Sequence, residues 1–311
     1  MLQARARMLA DAREFFAARG VLEVDTPILG EGLVVESHID PIPCQVRTGS
    51  GEPSPRHLLT SPEGPMKRLL AAGSGSIYQF AHAFRDGEEG RRHATEFTML
   101  EWYRPGLDHH ELMCEVEALV HALVPTVSDT AFARRTYRDV FVDGASIDPF
   151  STSLTELRTA CDRLGVPVPP SFEHGSIDDA LDLLLVSHIE PTLGCPAPIF
   201  VHEYPASQAA LAQVEKTEDG HAVAQRFELY INGLELANGY HELADADEQR
   251  RRFEQANRDR VADGRTTLPI DEPLIASLRD GFPACAGVAL GFDRLLMIAT
   301  GAQHIDDVRA T

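Results

Sequence analysis

Two strand-like runs, Phe227–Ile231 and Leu234–Ala237, are separated by Asn232-Gly233. That dipeptide suits a two-residue hairpin turn, because both central positions need positive φ. Strands joined in this way must run antiparallel. A second pair, Ile77–Arg85 and Phe97–Tyr103, is joined by the long polar segment Asp86–Thr95. Ile199–Tyr204 and the small-residue run Gly287–Gly291 read as further strands. Helical spacing marks Leu2–Arg19, Met66–Ala72, Leu112–Leu123, Asp245–Asp263 and the stretch from Arg294 to Thr300. Hairpins with helices set around them predict an α+β fold with an antiparallel sheet, not a doubly wound parallel one. Two helical patterns near 154–164 and 176–188, separated by Pro167–Pro170, predict a helical insertion over about residues 151–193. Residues 44–57, rich in Gly, Ser and Pro, read as an exposed loop, and the segment from Leu123 to about Pro149 as irregular.

Charge narrows the partners. With 28 basic and 48 acidic residues the chain carries a net charge of −20. Nucleic-acid affinity comes largely from neutralised phosphates, so tRNA is not an expected partner, and a protein partner or none fits better. The five cysteines form no C-x-x-C pair and read as reduced thiols. Neither a signal peptide nor an apolar run of about 18 residues is evident, which predicts a cytoplasmic protein with no membrane contact. His109-His110 and His202 lack a metal-ligand spacing and read as solvent-facing or capping.

Chemistry concentrates in a few segments. Arg85 at a strand end and Arg294 just after Gly291 each supply a guanidinium, the group suited to bidentate contact with phosphate oxygens. Glycine beside Arg294 lets a ligand approach the backbone. Phe84-Arg85 followed by Glu96-Phe97 resembles motif 2 of the class II aminoacyl-tRNA synthetases, and Gly291-Phe292-Asp293-Arg294 resembles their motif 3. The helix, Gly20, the strand Val21–Asp25 and Pro27 resemble motif 1, which implies a homodimer. Four segments are similar, in order, to the lysine-type members: Ser61-Pro62-Glu63 with Lys67-Arg68-Leu69, Glu96–Tyr103, Glu235–Leu243 and Gly287–Leu295. The resemblance runs from about residue 5 to the end, so the whole of 1–311 is expected to be one catalytic domain.

The resemblance implies ATP and Mg2+, with named roles. Arg85 would hold the α-phosphate and the substrate carboxylate, and Arg294 the adenine face and γ-phosphate. Asp86, Glu88, His93, Phe97, Glu235, Leu236 and Gly291 would complete the nucleotide site. Glu235 and Glu242 would form the metal cradle. Ser61, Glu63, Tyr103, Asn238, Glu242 and Ala289 would hold the amino acid, with Glu63 on its α-ammonium and Tyr103 and Glu242 on its distal amine. Motif 1 begins almost at residue 1, so no anticodon-binding OB domain is expected. In that respect the chain resembles the elongation factor P lysyltransferases, synthetase paralogues that attach (R)-beta-lysine to a lysine of elongation factor P. Phe200–Gln208, Glu101–Pro105 and Ala289 carry this part of the likeness. The substrate expected is (R)-beta-lysine or lysine.

Two departures fall in the ATP loop. Asp86-Gly87 stands where the family has Asn-Glu, with Glu88 one residue further on, and Ala94 stands where it has Asn. They leave open an aminoacyl ligase for another acceptor, or a catalytically weak paralogue that works as a binding or regulatory protein.

Overall fold

The computed structural model of the protein describes residues 1–169 and 175–309. Pro170, the last residue of the proline-rich linker, lies outside them. Helix α1 (Leu2–Ala17) stops at Gly20, whose φ is +67°, and the chain turns into the two-residue strand β1 (Leu22–Glu23). Strands β2 (Leu29–Gly30), β3 (Ile42–Arg47) and β4 (Pro53–Leu58) form a small antiparallel sheet in the order β2-β4-β3. The expected loop over 44–57 is therefore a hairpin. Its prolines cost no ladder bond: Thr48 donates to Glu52 O, so every second pair is bonded and Pro53 and Pro55 turn their amide positions away from β3. On the other edge β2 reaches only His57 and Leu58.

Helix α2 (Glu63–Ala71) starts after Pro62 and carries Pro65 in its first turn, where no amide is needed. Strands β5 (Ile77–Phe84) and β6 (Glu96–Pro105) pair across the long loop. Helix α3 (His109–Leu123) begins with a capping box between Asp108 and Glu111. The segment expected to be irregular contains β7 (Ala133–Thr136) and α4 (Tyr137–Ala145), capped by the Thr136 side chain. Strand β7 is too short and too arginine-rich to show a pattern, and its partner lies more than 60 residues ahead. Helices α5 (Leu154–Leu164) and α6 (Ile177–Leu184) open with capping boxes at Ser153 and Ser176 and form the insertion, with a π turn at Leu185–Ile189. Then come β8 (Ile199–Pro205), β9 (Val214–Lys216), β10 (Ala222–Tyr230), β11 (Glu235–His241), α7 (Ala246–Ala262), α8 (Glu272–Gly281), β12 (Cys285–Gly291) and α9 (Phe292–Thr300). Asn232 and Gly233 take φ of +53° and +66°, as the hairpin requires.

The main sheet has the order β1-β5-β6-β12-β11-β10-β8-β7, with β9 on β10. Its interior pairs are antiparallel, as expected. The outermost pairs, β1–β5 and β7–β8, are parallel, so the sheet is mixed. Period-two alternation divides its faces. Leu100 and Trp102, Ala286, Val288 and Leu290, and Phe227 and Leu229 pack in one core with α1, α3 and α9. Gly239 belongs there by necessity, since a Cβ would sit 2.4 Å from the Phe227 ring. His109 is buried at the start of α3 with neither ring nitrogen bonded, instead of facing solvent. Burial, then the neighbouring His110, pushes its pKa down to about 3.

Candidate active site

The opposite face of the sheet is the floor of a cavity of about 1590 Å³. Residues directly opposite one another on antiparallel strands share a face. One row therefore reads Glu101, Ala289, Asn238, Glu228 across β6, β12, β11 and β10, and the next reads Tyr103, Gly287, Tyr240, Arg226. All eight line the cavity. The small residues at 287, 289 and 291 make the hollow: a Cβ on Gly287 would lie 2.3 Å from the Tyr103 ring and 2.4 Å from a Glu242 oxygen.

One end of the cavity is rich in acids. Glu63 in the first turn of α2 and Glu242 just past β11 both reach Lys67, each carboxylate 2.6 Å from its ammonium. Lys67 and Glu242 are buried, with side-chain exposures of 2% and 1%. The Tyr103 hydroxyl donates to Glu101 Oε1 at 2.7 Å. Burial, then the nearby Glu63, raises the Glu101 carboxyl well above the usual range. Burial raises Glu242 as well, to about 7 against the opposing pull of Lys67. For Lys67, burial works against the charge, but the two carboxylates outweigh it and keep the ammonium charged. Glu63, Tyr103 and Glu242 are thus brought together, with Glu63 and Glu242 on one ammonium where they were expected at opposite ends of the substrate, and Ser61 and Ala289 line the same space. Lys67 and Glu101 were not anticipated. A lysine four residues after a glutamate on a helix usually makes an exposed pair, and nothing in the sequence signals that this one is buried.

The other end is rich in arginines. Arg294 donates to Glu235 O at 2.8 Å, to Arg92 O at 3.3 Å and to His93 Nε2 at 2.7 Å. His93 is therefore an acceptor, and burial followed by Arg294 lowers its pKa. Arg85 lies over the Phe97 ring at 5.1 Å, has Glu88 at 3.7 Å, and keeps a buried Nε without a partner. Gly291 caps α9, and its neighbour Asp293 accepts from Thr98 N and from Arg5 of α1. Arg85, Glu88, His93, Phe97, Glu235, Leu236, Gly291 and Arg294 all line the cavity. Asp86 does not: its amide donates to Asp40 O outside the lining residues. Leu236 contributes mainly to the core. Gly87 has φ +76° with open space around it, and Ala94 is buried in the core cluster.

Glu235 and Glu242, expected to share a metal cradle, stand at the start of β11 and just past its end. Seven residues of extended chain at about 3.3 Å each place the two backbones roughly 20 Å apart. Glu242 is also bound to Lys67 at the acid end. The acid that faces Glu235 is Glu228, from the other arm of the hairpin. Burial, then Glu228, raises the Glu235 carboxyl. Glu228 accepts from the Tyr204 hydroxyl at 2.6 Å and from Tyr230, and pairs with Arg226. Asn238 sits between them, 3.3 Å from Glu228 Oε1 and from Arg226 Nε. Two hard carboxylates beside a cluster of arginines suit Mg2+ shared with phosphate oxygens. Among the described residues no group of three or more His, Cys, Asp or Glu is arranged to hold a metal alone.

The insertion closes one wall. Ser207 and Gln208, which follow β8, bond Asp178 and Asp182 of α6. Burial, opposed by Arg226, raises Asp182 to about 7.

Known proteins share this chain along its length. Residues 1–310 match the family described as tRNA synthetases class II (D, K and N). The chain is similar to a Vibrio vulnificus (strain YJ016) protein named elongation factor P–(R)-beta-lysine ligase, with 47% identity over 310 residues, 99% of this chain and 94% of that one. Proteins of the same name from Yersinia enterocolitica and Salmonella typhi are 48% and 46% identical, covering 98% of this chain and 93% of theirs.

Proposed function

The chain belongs to the class II tRNA synthetases (D, K and N), and on that premise we propose that it is an ATP-dependent ligase that activates (R)-beta-lysine or lysine as an aminoacyl-adenylate and transfers it to a lysine of elongation factor P. The observation that carries this reading is the division of one cavity into an acid end and an arginine end. A diamino acid brings ammonium groups to Glu63 and Glu242 and its carboxylate toward Arg85. The free Nε of Arg85 donates to the α-phosphate and draws the carboxylate into line for attack on phosphorus. Arg294, held in place by three acceptors, meets the departing pyrophosphate charge, the kind of preorganised contact that dominates such catalysis. Glu228 and Glu235 would hold Mg2+, which when bound offsets phosphate charge. The acceptor lysine amine then attacks the carbonyl, forming an amide and releasing AMP.

The names of the similar ligases support (R)-beta-lysine and elongation factor P as substrates. The net charge of −20 supports a site that does not serve tRNA. Exposed Leu22, in the strand that follows α1, and exposed Ile28 and Leu29 support a homodimer. No helix among the described residues is long and apolar enough to cross a membrane, in keeping with a cytoplasmic location.

ATP–pyrophosphate exchange with purified protein tests the reading, comparing (R)-beta-lysine, α-lysine and no amino acid in the absence of tRNA. Amino-acid-dependent exchange, strongest with (R)-beta-lysine, is expected. Exchange with none of them would overturn the ligase reading and favour a binding protein, for which the Gly87 and Ala94 departures are the specific support.

A further inference from the structure

Three carboxylates, Glu63, Glu101 and Glu242, surround the acid end, and a single fixed cation lies among them. Lys67 makes two 2.6 Å contacts, one to a residue of its own helix and one to a residue beyond β11. Those two contacts add a polar link between α2 and the end of β11, which already meet in one apolar cluster through Met66, Leu70 and Tyr240. Glu242 shares the hollow over Gly287 with the Tyr103 ring, so the position of Lys67 fixes where the hollow is negative. We propose that Lys67 is a positioning residue for the amino-acid substrate: its ammonium holds the Glu63 and Glu242 carboxylates in place for an incoming diamino acid. The inference rests on the ligase reading above and adds to it a residue that touches neither reacting atom.

The groups that bear on this charge come from every neighbouring element. Lys67 faces Glu63 on α2, Glu242 after β11 and Glu101 on β6, with the Cys285 thiol on β12 next to it. Tyr103 and Tyr240 feel the same acids, and Glu36 faces Glu63 from the side of Arg85. Burial pushes Glu36, Glu101, Glu242, Tyr103 and Tyr240 toward their neutral forms. Lys67 pulls Glu101 and Glu242 toward ionisation, while Arg85 and Arg226 do the same for Glu36. An ammonium substrate needs the ionised carboxylate, so in the wild type amino-acid affinity rises as pH increases through about 7, where Glu242 loses its proton. Without Lys67, Glu242 keeps its proton to higher pH.

The test is Lys67→Met, which keeps the length of the side chain and removes its charge, assayed by pyrophosphate exchange from pH 6 to 9. At pH 7 the amino-acid KM is expected to rise on the order of tenfold, with the acid limb of its pH profile moved up by about one unit. KM for ATP and kcat at saturating amino acid should stay near wild type. An unmoved acid limb, or a lower KM that marks Lys67 as a competitor of substrate, would overturn the proposal. Lys67→Arg keeps the charge and guards against a misfolded methionine variant. Its acid limb should match wild type, and a shift of a unit there would also overturn it. Wild-type protein that exchanges pyrophosphate with no diamino acid would sink the ligase reading and this inference together, whereas an active wild type with an unmoved Lys67→Met profile sinks only the inference.

Discussion

The acid end and the arginine end of the cavity are built by different means. The acid end has a sheet floor: Glu101 and Tyr103 on β6, Gly287 and Ala289 on β12 and Tyr240 on β11 are locked by ladder register, with Glu63 and Lys67 added from α2. The arginine end leans on the loop between β5 and β6, where Arg85 lacks one partner and Glu88 is 3.7 Å away. Both departures from the family pattern, at 87 and 94, fall in that loop. A sheet floor tolerates little change because each side chain is fixed by its neighbours on both sides. A loop that closes over a flexible polyphosphate has more freedom to vary.

Substitutions can break or sharpen this contrast. The largest effect is expected for Arg294→Ala, which should lower pyrophosphate exchange by about a thousandfold while leaving the circular dichroism spectrum intact. Wild-type exchange in this variant would remove Arg294 from the phosphate end. Gly287→Ala tests the rigidity of the acid end. Its new Cβ meets Tyr103 and Glu242, and overpacking of roughly 1–3 kcal/mol should raise the amino-acid KM by up to about a hundredfold, with ATP KM little changed. Equal effects on both KM values would mean that the floor acts as one unit. Glu63→Gln should raise the amino-acid KM about tenfold through loss of a charge-assisted contact; an unchanged KM would take Glu63 out of the amine site. The smallest effect is expected for Gly87→Glu. Its positive φ strains any side chain, so ATP KM should move by only about two- or threefold. A larger gain would mean that the loop is as fixed as the sheet.

Much of this was legible in the sequence because the informative residues are close together along the chain. Asn232-Gly233 specified the central hairpin, and the segments around Arg85 and Arg294 located the arginine end. Register across a hairpin was the part missed. Glu235 pairs with Tyr230, and Glu228 lies two residues further along the same face, so counting back from the turn would have found the acid that faces Glu235. Spacing along one strand suggested Glu242 instead. Lys67 was hidden for another reason, since helical periodicity alone does not say which face meets a strand more than 170 residues away. The small sheet at β2-β4-β3 was missed because alternate prolines look like a loop until one edge is known to be open.

Strand β12 is the last strand among the described residues, yet it lies between β6 and β11 in the middle of the sheet. During synthesis, the edges of β6 and β11 remain open until residues 285–291 emerge. The bond from Arg5 to Asp293 likewise waits until residue 293 has emerged. A nascent chain stalled before that point carries two half-sheets with unsatisfied edges, the condition that invites aggregation or chaperone capture. Assembly of the catalytic floor therefore waits on residues 285–291, and a stop codon before them would yield two unjoined halves where a single floor should be.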